Sequence, residues 1–203
     1  AALSAGHAGQ ILSVVANLGE HIADYHPGED FRQSYTARAD LGGGILLTQI
    51  HQIDYLNWLF GPFTHVAAAG GRQSALGLDV EDNVTYLLQG KSGVPVVGHL
   101  DYLQRPKRVS LEILGTDNSY RWDYFANRLE ITAAALDAFP QVHETPFDRN
   151  ALFRRAMDDF LNAVKTGTPP RSTLWDGIAA LRIVDAIKLA CDRKETIQIT
   201  ESP

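Results

Sequence analysis

The middle of the chain is dominated by short apolar segments that are separated by glycine-rich and polar turns. Segments of this kind, rich in β-branched and aromatic residues, are typical of β-strands. Two of them flank the loop Gly90-Lys91-Ser92-Gly93, whose length fits a four-residue hairpin connection. An apolar segment at residues 11–18 predicts a further strand near the start of the chain. The central segments predict strands at residues 64–73, 83–89, 94–103, 108–114 and 119–124.

Before and after the central strands, the sequence predicts helices. A helix is predicted at residues 44–60, where it ends at Gly61-Pro62. A second helix begins after Asp148, which could cap it, and ends at Gly167. This second helix carries an apolar stripe at spacings of three and four residues, formed by Phe153, Met157, Phe160, Leu161 and Val164.

The two ends of the chain also carry local signals. A third helix opens with the capping-box pattern Thr173 to Asp176 and is expected to end near Arg193. Trp175, close to its start, is interpreted as a packing residue. A short strand is predicted at residues 196–200, and residues 1–10 are interpreted as the frayed end of a helix.

The order of these elements, a run of strands followed by helices, predicts an α+β fold in a single domain of residues 1–203. We expect an open, predominantly antiparallel, mixed sheet with helices packed on one face. So few helices cannot cover both faces of the sheet. Apolar strand residues such as Val97 and Leu111 would then face a second copy of the chain, which predicts a homo-oligomer.

Composition and charge narrow the classes of function. The 203 residues are 45% hydrophobic and 21% charged, as in ordinary globular proteins. A net charge of −6 disfavours a surface that follows nucleic-acid phosphates. The single cysteine, Cys191, cannot form an internal disulfide, so we expect the reducing cytoplasm. No apolar run reaches the roughly 18 residues that cross a bilayer, so no membrane association is expected.

The predicted helix at residues 44–60 carries polar residues where a buried helix normally has leucines. Thr48, His51 and Tyr55 form a ridge along one side of it. Asp54 lies about 60° from His51 around the helix and one turn further on, close enough to orient an imidazole. An imidazole with a pKa of about 6.5 suits general acid–base catalysis. The alternative is a structural histidine that is hydrogen-bonded to Asp54 or to the backbone.

Three glycines, Gly42 to Gly44, precede this helix and have two interpretations. They could bring the backbone close to a substrate or an anion, or they could form a tight loop that enters the helix. They do not form a dinucleotide-binding fingerprint, because that motif needs a glycine where the chain has Leu47. No other segment supplies the motif. No Rossmann domain, no cofactor-binding residue and no metal site is therefore predicted in this chain.

The glycines and the helix together form a recognisable motif. Residues 42–54, Gly-Gly-Gly-Ile-Leu-Leu-Thr-Gln-Ile-His-Gln-Ile-Asp, resemble the signature helix of the glucose–fructose oxidoreductase / inositol dehydrogenase family. The resemblance extends to residues 9–14, 24–35 and 101–106 and to the helix at Asp176-Gly177. It therefore covers nearly the whole chain, in order.

The resemblance implies an oxidoreductase of two domains that uses NAD or NADP. An N-terminal Rossmann domain would bind the cofactor and carry a catalytic lysine in a Glu-Lys-Pro motif. This chain has no Glu-Lys-Pro motif and resembles only the second domain, a dihydrodipicolinate-reductase-like C-terminal domain. That domain supplies substrate contacts and usually the dimer interface. No cofactor is therefore expected to bind this chain alone, and alone it should be inactive.

The resemblance also suggests roles for individual residues. His51 falls on the active-site histidine of the family, the proposed proton acceptor. Thr48 falls where many members have an aspartate that assists proton transfer, and a threonine cannot act as a carboxylate base at neutral pH. Either His51 works with the lysine of the other domain, or Asp54 takes part of the role. The other residues predicted to contact the substrate are Tyr55, Arg32, Tyr35, Gln104 and Arg105.

The leading prediction is the substrate-binding and oligomerisation domain of a nicotinamide-dependent dehydrogenase that acts on a sugar, a cyclitol or a related polyol. The alternative is a non-catalytic binding or scaffolding module that keeps the fold without a dinucleotide-binding domain. A stand-alone hydrolase built on His51 and Asp54 is disfavoured, because the chain offers no plausible nucleophile for it.

Overall fold

The computed structural model of the chain describes residues 6–200 and is built around one nine-stranded sheet. The strands stand in the order β8-β7-β6-β5-β1-β4-β3-β2-β9. Within this range β1 and β4 pair in parallel and every other neighbouring pair is antiparallel, which confirms the predicted mixed, predominantly antiparallel sheet. The strands are β1 (Ile11–Gly19), β2 (Phe63–Gly71), β3 (Asn83–Gly90), β4 (Val96–Asp101), β5 (Arg108–Gly115), β6 (Asn118–Asp123), β7 (Arg128–Ala133), β8 (Gln141–Glu144) and β9 (Ile197–Gln198).

The described part of the chain has four α-helices, and three of them, α1, α2 and α4, pack together on one face of the sheet. Short 3-10 turns connect β1 to the first helix. Within residues 6–200, no helix combines the length and the apolar character needed to cross a membrane. The helices are α1 (Ile45–Thr48), α2 (Ile50–Phe60), α3 (Arg149–Thr166) and α4 (Leu174–Arg193).

The single helix predicted at residues 44–60 is in fact two, because the backbone leaves the helical conformation at Gln49, with φ −111° and ψ 27°. The side chain of Gln49 donates a hydrogen bond to the hydroxyl of Tyr25 at 2.6 Å, which holds the residue at the break. The two pieces therefore pack differently. The first contacts β3, β4 and α4 about equally, whereas the second packs mainly along α4 and also contacts β4.

Register in the sheet decides which side chains are buried. Val14, Ala16 and Leu18 of β1 lie beside Val96, Gly98 and Leu100 of β4, and all six are buried on the face that carries the helices. A side chain at Gly98 would collide with the ring of Tyr86 on β3, since a Cβ there would lie within 2.4 Å of three ring and hydroxyl atoms.

The other face of the sheet is open. Leu12, Val15 and Leu114 are exposed on it. Val97 pairs with Val15, so it also lies on this face, as predicted, and is half-buried there. The prediction for Leu111 was wrong. Leu111 pairs with Ala16, so it points to the face that carries the helices and is buried there.

The terminal and capping predictions had mixed outcomes. The Asp148 carboxylate caps α3 by accepting from the backbone N–H of Ala151, and Thr173 and Asp176 form the predicted capping box at α4. The last strand is shorter than predicted, and β7 and β8 were missed, the latter being exposed along its whole length. Trp175 at the start of α4 is 73% exposed, so it is not the packing residue that the sequence predicted. Of the helix expected at residues 1–10, residues 1–5 lie outside the described residues, and residues 6–8 form a turn instead.

Candidate active site

The glycine triplet fixes the entry of the chain into α1. A Cβ on Gly43 would lie 2.4 Å from the backbone oxygen of Tyr35, and Gly44 has a φ of 106°, which disfavours other residues. The backbone N–H of Ile45 donates to the carbonyl of Glu81, and that of Leu46 donates to the Glu81 carboxylate at 3.4 Å. A carboxylate of the protein itself therefore occupies the start of this helix, and the structure supports the tight-loop interpretation.

His51 lies in the first turn of α2 and is exposed. Among the described residues its imidazole makes no hydrogen bond and no ion pair, so the structural alternative of a satisfied core histidine does not describe it. Protein atoms around the ring remove part of its hydration, and this burial lowers the pKa of His51; the nearby Asp54 carboxylate opposes the shift. The lowered pKa favours the neutral imidazole, in which one ring nitrogen has a free lone pair.

Asp54 stands beside His51 and close to the start of α4, because α2 packs along α4. Burial is the largest cause of a raised pKa of Asp54, and repulsion from the Asp176 carboxylate raises this pKa further. Asp176 itself accepts hydrogen bonds at 2.7 Å from the backbone N–H and the hydroxyl of Thr173, and these bonds lower its pKa. The Asp54 carboxylate therefore lies within electrostatic range of both the His51 imidazole and the Asp176 carboxylate.

Thr48 belongs to a buried network beneath this surface. Its hydroxyl lies 2.7 Å from the hydroxyl of Tyr102, which also lies 3.1 Å from the carbonyl of Thr36. The ring of Tyr25 packs edge-on against Tyr102, with 5.8 Å between the ring centroids. Tyr102 has one proton and the Thr36 carbonyl can only accept, so the Thr48 hydroxyl can complete this network either as an acceptor from Tyr102 or as a donor to it.

Tyr55 does not share a surface with His51. Its hydroxyl is buried and has no hydrogen-bond partner among residues 6–200, and burial raises its pKa. The expected ridge of Thr48, His51 and Tyr55 is therefore divided, because the helix breaks at Gln49 and Tyr55 turns its hydroxyl into the protein.

The remaining predicted substrate contacts have partners of their own. Arg105 makes two hydrogen bonds of 2.8 Å with Asp24, and this contact lowers the pKa of Asp24. The side chain of Gln104 donates to the buried Asp101 carboxylate at 3.0 Å. No hydrogen bond or ion pair within the described range joins either residue to His51.

Arg32 and Tyr35 lie together in the segment that precedes the glycines. Arg32 is 3.7 Å from the Asp30 carboxylate and stacks over Phe31 at 4.6 Å. Tyr35 is exposed and lines a shallow depression of about 390 Å³ with His26 and its polar neighbours. Both side chains remain accessible, so both stay predicted substrate contacts.

Comparison of the sequence with models of known protein families identifies the family of this chain. A family model described as the C-terminal alpha/beta domain of an oxidoreductase family, that of glucose–fructose oxidoreductase and inositol dehydrogenase, matches residues 8–199. The chain belongs to this oxidoreductase family. The match covers almost the entire chain and confirms the resemblance carried by residues 42–54. No curated protein matches the chain.

Solved structures of oxidoreductases share the fold at low sequence identity. Levoglucosan dehydrogenase in complex with NADH and levoglucosan superposes with a TM-score of 0.88 at 18% identity, covering 99% of this chain and 62% of that one. An oxidoreductase domain protein from Kribbella flavida gives 0.85 at 18% identity, with coverages of 98% and 61%. The WlbA dehydrogenase from Bordetella pertussis, in complex with NADH and UDP-GlcNAcA, gives 0.74 at 19% identity, with coverages of 99% and 59%. The chain thus spans about three fifths of the length of these relatives.

Two of these relatives are complexes with NADH, but the glycine loop of this chain does not fit a dinucleotide pyrophosphate. The N–H groups of Ile45 and Leu46 are taken by Glu81, whose negative charge would repel a phosphate. Among the described residues, no group of three or more His, Cys, Asp or Glu side chains is arranged to hold a metal ion.

Three residues of the candidate site were not predicted from the sequence. Tyr25 and Tyr102 stand in segments that resemble the family, yet nothing in their spacing indicates that they meet below Thr48. Asp176 was recognised as a cap of α4, but its position near Asp54 follows from the packing of α4 on α2.

Proposed function

We propose that this chain is the substrate-binding domain of a two-domain, NAD- or NADP-dependent oxidoreductase that acts on a sugar, a cyclitol or a related polyol. The observation that carries the proposal is His51, an exposed imidazole with no internal partner and a lowered pKa, on the helix that resembles the family's signature. Family membership supports the reaction class. The complexes of two relatives with NADH and with sugar ligands support the substrate class.

The chain's own part in the reaction is to bind the substrate and to remove a proton. As a substrate C–H bond breaks and hydride leaves, the O–H bond of the same carbon breaks and its proton passes to a nitrogen of His51, which leaves a carbonyl group. The Asp54 carboxylate then stabilises the imidazolium that forms. Thr48, whose hydroxyl lies 2.7 Å from that of Tyr102, hydrogen-bonds a substrate oxygen and so orients it.

The hydride acceptor would be a nicotinamide, which when bound supplies the oxidising power of the reaction. We assign its binding to a second, dinucleotide-binding domain, because the glycine loop before α1 does not fit the pyrophosphate. The relatives are long enough to contain such a domain, since this chain spans only about three fifths of each. On its own, this chain is expected to bind no cofactor and to turn over no substrate.

The open face of the sheet supports the homo-oligomer expected from the sequence. Leu12, Val15 and Leu114 expose apolar side chains on this face, and strands that present one apolar face are commonly covered by a second copy. We propose a cytoplasmic dimer that pairs these faces. Light scattering that finds a monomer at high concentration would contradict it.

A second candidate is a non-catalytic binding or scaffolding module of the same fold. The observation that favours it is Thr48, which places a hydroxyl where many family members have a carboxylate. This candidate predicts that sugars bind but that none is oxidised, whatever the cofactor.

The test is to express the gene with any dinucleotide-binding segment that accompanies this chain and to follow NADH and NADPH formation with a panel of sugars and cyclitols. We expect turnover with at least one of them, and a fall of about 10²–10⁴-fold in kcat in the His51→Asn variant. His143→Asn, which changes an exposed histidine on β8, serves as the control and should keep full activity.

Three results would contradict the proposal. The first is a gene that encodes no dinucleotide-binding segment. The second is turnover that survives in His51→Asn. The third is tight binding of NAD or NADP to this chain alone, measured by calorimetry, because the cofactor site would then lie within it.

A further inference from the structure

The break between α1 and α2 has no cause in the local sequence. Residues 45–60 contain no glycine, proline or serine, the residues at which helices usually kink. Glutamine is itself a good helix former. Yet the backbone of Gln49 departs from ideal helical dihedrals by about 48° in φ and about 69° in ψ. A contact from another part of the chain must therefore hold the break.

That contact is the hydrogen bond of 2.6 Å between the side-chain amide of Gln49 and the hydroxyl of Tyr25. Tyr25 lies in the turns that connect β1 to α1, and two contacts fix its position. Its ring stands edge-on to that of Tyr102, which is fully buried, and its backbone N–H donates to the carbonyl of the buried Ile22 at 3.2 Å. Tyr25 therefore offers Gln49 a fixed anchor.

The two helices that meet at the break are held by separate anchors. The backbone N–H of Ile45, at the start of α1, donates to the carbonyl of Glu81 at 3.0 Å. The helix α2 is held to the sheet through Gln52, a fully buried residue whose amide oxygen accepts from the hydroxyl of Tyr86 at 2.6 Å. Because each helix has its own anchor, the backbone at Gln49 decides how one helix is oriented relative to the other.

The break also separates the two side chains that have different parts in the proposed reaction. Thr48, which orients a substrate oxygen, is the last residue of α1, and His51, which takes the proton, is the second residue of α2. Among residues 6–200, no hydrogen bond orients the His51 imidazole. The direction of its ring therefore depends on the backbone that carries it, and the backbone at Gln49 sets that direction.

We propose that Gln49 and Tyr25 are positioning residues, whose hydrogen bond holds the break and so sets the orientation of His51 relative to Thr48. The proposal rests on the function proposed above. The imidazole accepts a proton only when its nitrogen lies within hydrogen-bond reach of the substrate hydroxyl. A displacement of about 1 Å can lower the rate of such a step about 10²-fold. Gln49 and Tyr25 thus act through His51, without contacting the reacting atoms.

Backbone chemical shifts, measured by NMR on the chain alone, test whether this hydrogen bond holds the break. In the wild type, the Cα carbon of Gln49 should resonate outside the range of helical residues. Tyr25→Phe removes the hydroxyl but keeps the ring, and it should move this resonance into the helical range as α1 and α2 join into one helix. Tyr120→Phe, which removes a hydroxyl without a hydrogen bond in the described range, is the control and should leave the resonance unchanged.

Kinetics of the polypeptide that includes the dinucleotide-binding segment test whether the break serves the reaction. Tyr25→Phe and Gln49→Leu should each lower kcat by about tenfold and leave KM within about twofold, because they displace His51 but remove no substrate contact. The double variant should lose no more than either single variant, because both changes break the same bond. Gln141→Leu, on the exposed strand β8, is the matched control and should keep full kcat. Circular dichroism at the assay temperature checks that every variant is folded, and Gln49→Met replaces Gln49→Leu if the latter is not.

The two measurements distinguish this inference from the proposed function. A Gln49 resonance that stays outside the helical range in Tyr25→Phe would show that the separate anchors of α1 and α2 hold the break, and it would overturn the inference. Full kcat in either variant, additive losses in the double variant, or a rise in KM alone would overturn it as well, while sugar oxidation by the wild type would leave the proposed function standing. A joined helix in Tyr25→Phe, in a protein that oxidises no sugar, would contradict the proposed function and support the part of Tyr25 in orienting His51.

Discussion

Two consecutive helices of similar length, α3 and α4, have opposite relations to the rest of the molecule. Both are amphipathic and both begin with a side-chain cap. Of α3, only Ala163 is buried. Along α4 the buried residues are Ala180, Ile183, Val184, Ala186, Ile187 and Ala190. The contrast shows that periodicity predicts a helix with an apolar side but does not predict what that side contacts.

The contrast has an energetic consequence. The apolar side of α4 has already left water by packing on β2, β9 and α2, so it stabilises this chain. The apolar side of α3 remains in water, so it adds little to the stability of this chain. Substitutions on the apolar side of α4 should therefore lower the free energy of unfolding of the chain alone. Substitutions on the apolar side of α3 should hardly change it.

The largest expected effect lies in α4. Ile187→Ala removes a fully buried side chain and should lower the free energy of unfolding by about 2–5 kcal/mol, measured by urea denaturation. Leu161→Ala removes an exposed side chain of α3 and should stay within about 0.5 kcal/mol of the wild type. Equal losses in the two variants would show that α3 is packed in solution, and the contrast would then be false.

A smaller loss of stability is expected when the hydrogen bond between α2 and strand β3 is removed. The hydroxyl of Tyr86 donates a hydrogen bond at 2.6 Å to the buried amide oxygen of Gln52. Tyr86→Phe leaves that oxygen without its donor and should cost about 1–3 kcal/mol in the same assay. Tyr120→Phe is the control, since the Tyr120 hydroxyl has no hydrogen bond within the described residues; a similar loss there would rule out the hydrogen bond as the cause.

The smallest expected effect is a change in the pKa of His51. Its neighbour Asp54 lies on α2, close to the start of α4. The Asp54 carboxylate favours the protonated imidazole and raises the pKa of His51 against the larger lowering by burial. Asp54→Asn should therefore lower the pKa of His51 further, as followed by NMR titration of the imidazole in the chain alone. Asp185→Asn, on the exposed side of α4, should leave the titration unchanged. An upward shift in Asp54→Asn would contradict this arrangement.

Much of the fold could be predicted from local patterns. The capping box of Thr173 and Asp176 and the end of α2 before Gly61-Pro62 follow from side chains and backbone within a few residues. The break at Gln49 could not be predicted, because Tyr25, which holds it, lies far away in the sequence. Leu111 was placed on the wrong face because register depends on which strand lies alongside, and β1 is that strand.

The candidate site was located in part. His51 stood out as an imidazole on an apolar helix, and Asp54 as its neighbour along the same helix. The network of Tyr102, Tyr25 and Thr48 joins three separate segments, so no spacing indicates it. Single-residue patterns therefore predict the chemistry of a site better than the contacts that support it.

The central claim is that His51 accepts the proton of the substrate, and the pH dependence of kcat/KM for sugar oxidation tests it most directly. Because burial lowers the pKa of His51, the imidazole should lose activity only as the pH falls below the ordinary histidine value of about 6.5. Wild-type enzyme should show this acidic limb, and His51→Asn should retain a small rate without it. An acidic limb that persists unchanged in His51→Asn would show that another group accepts the proton.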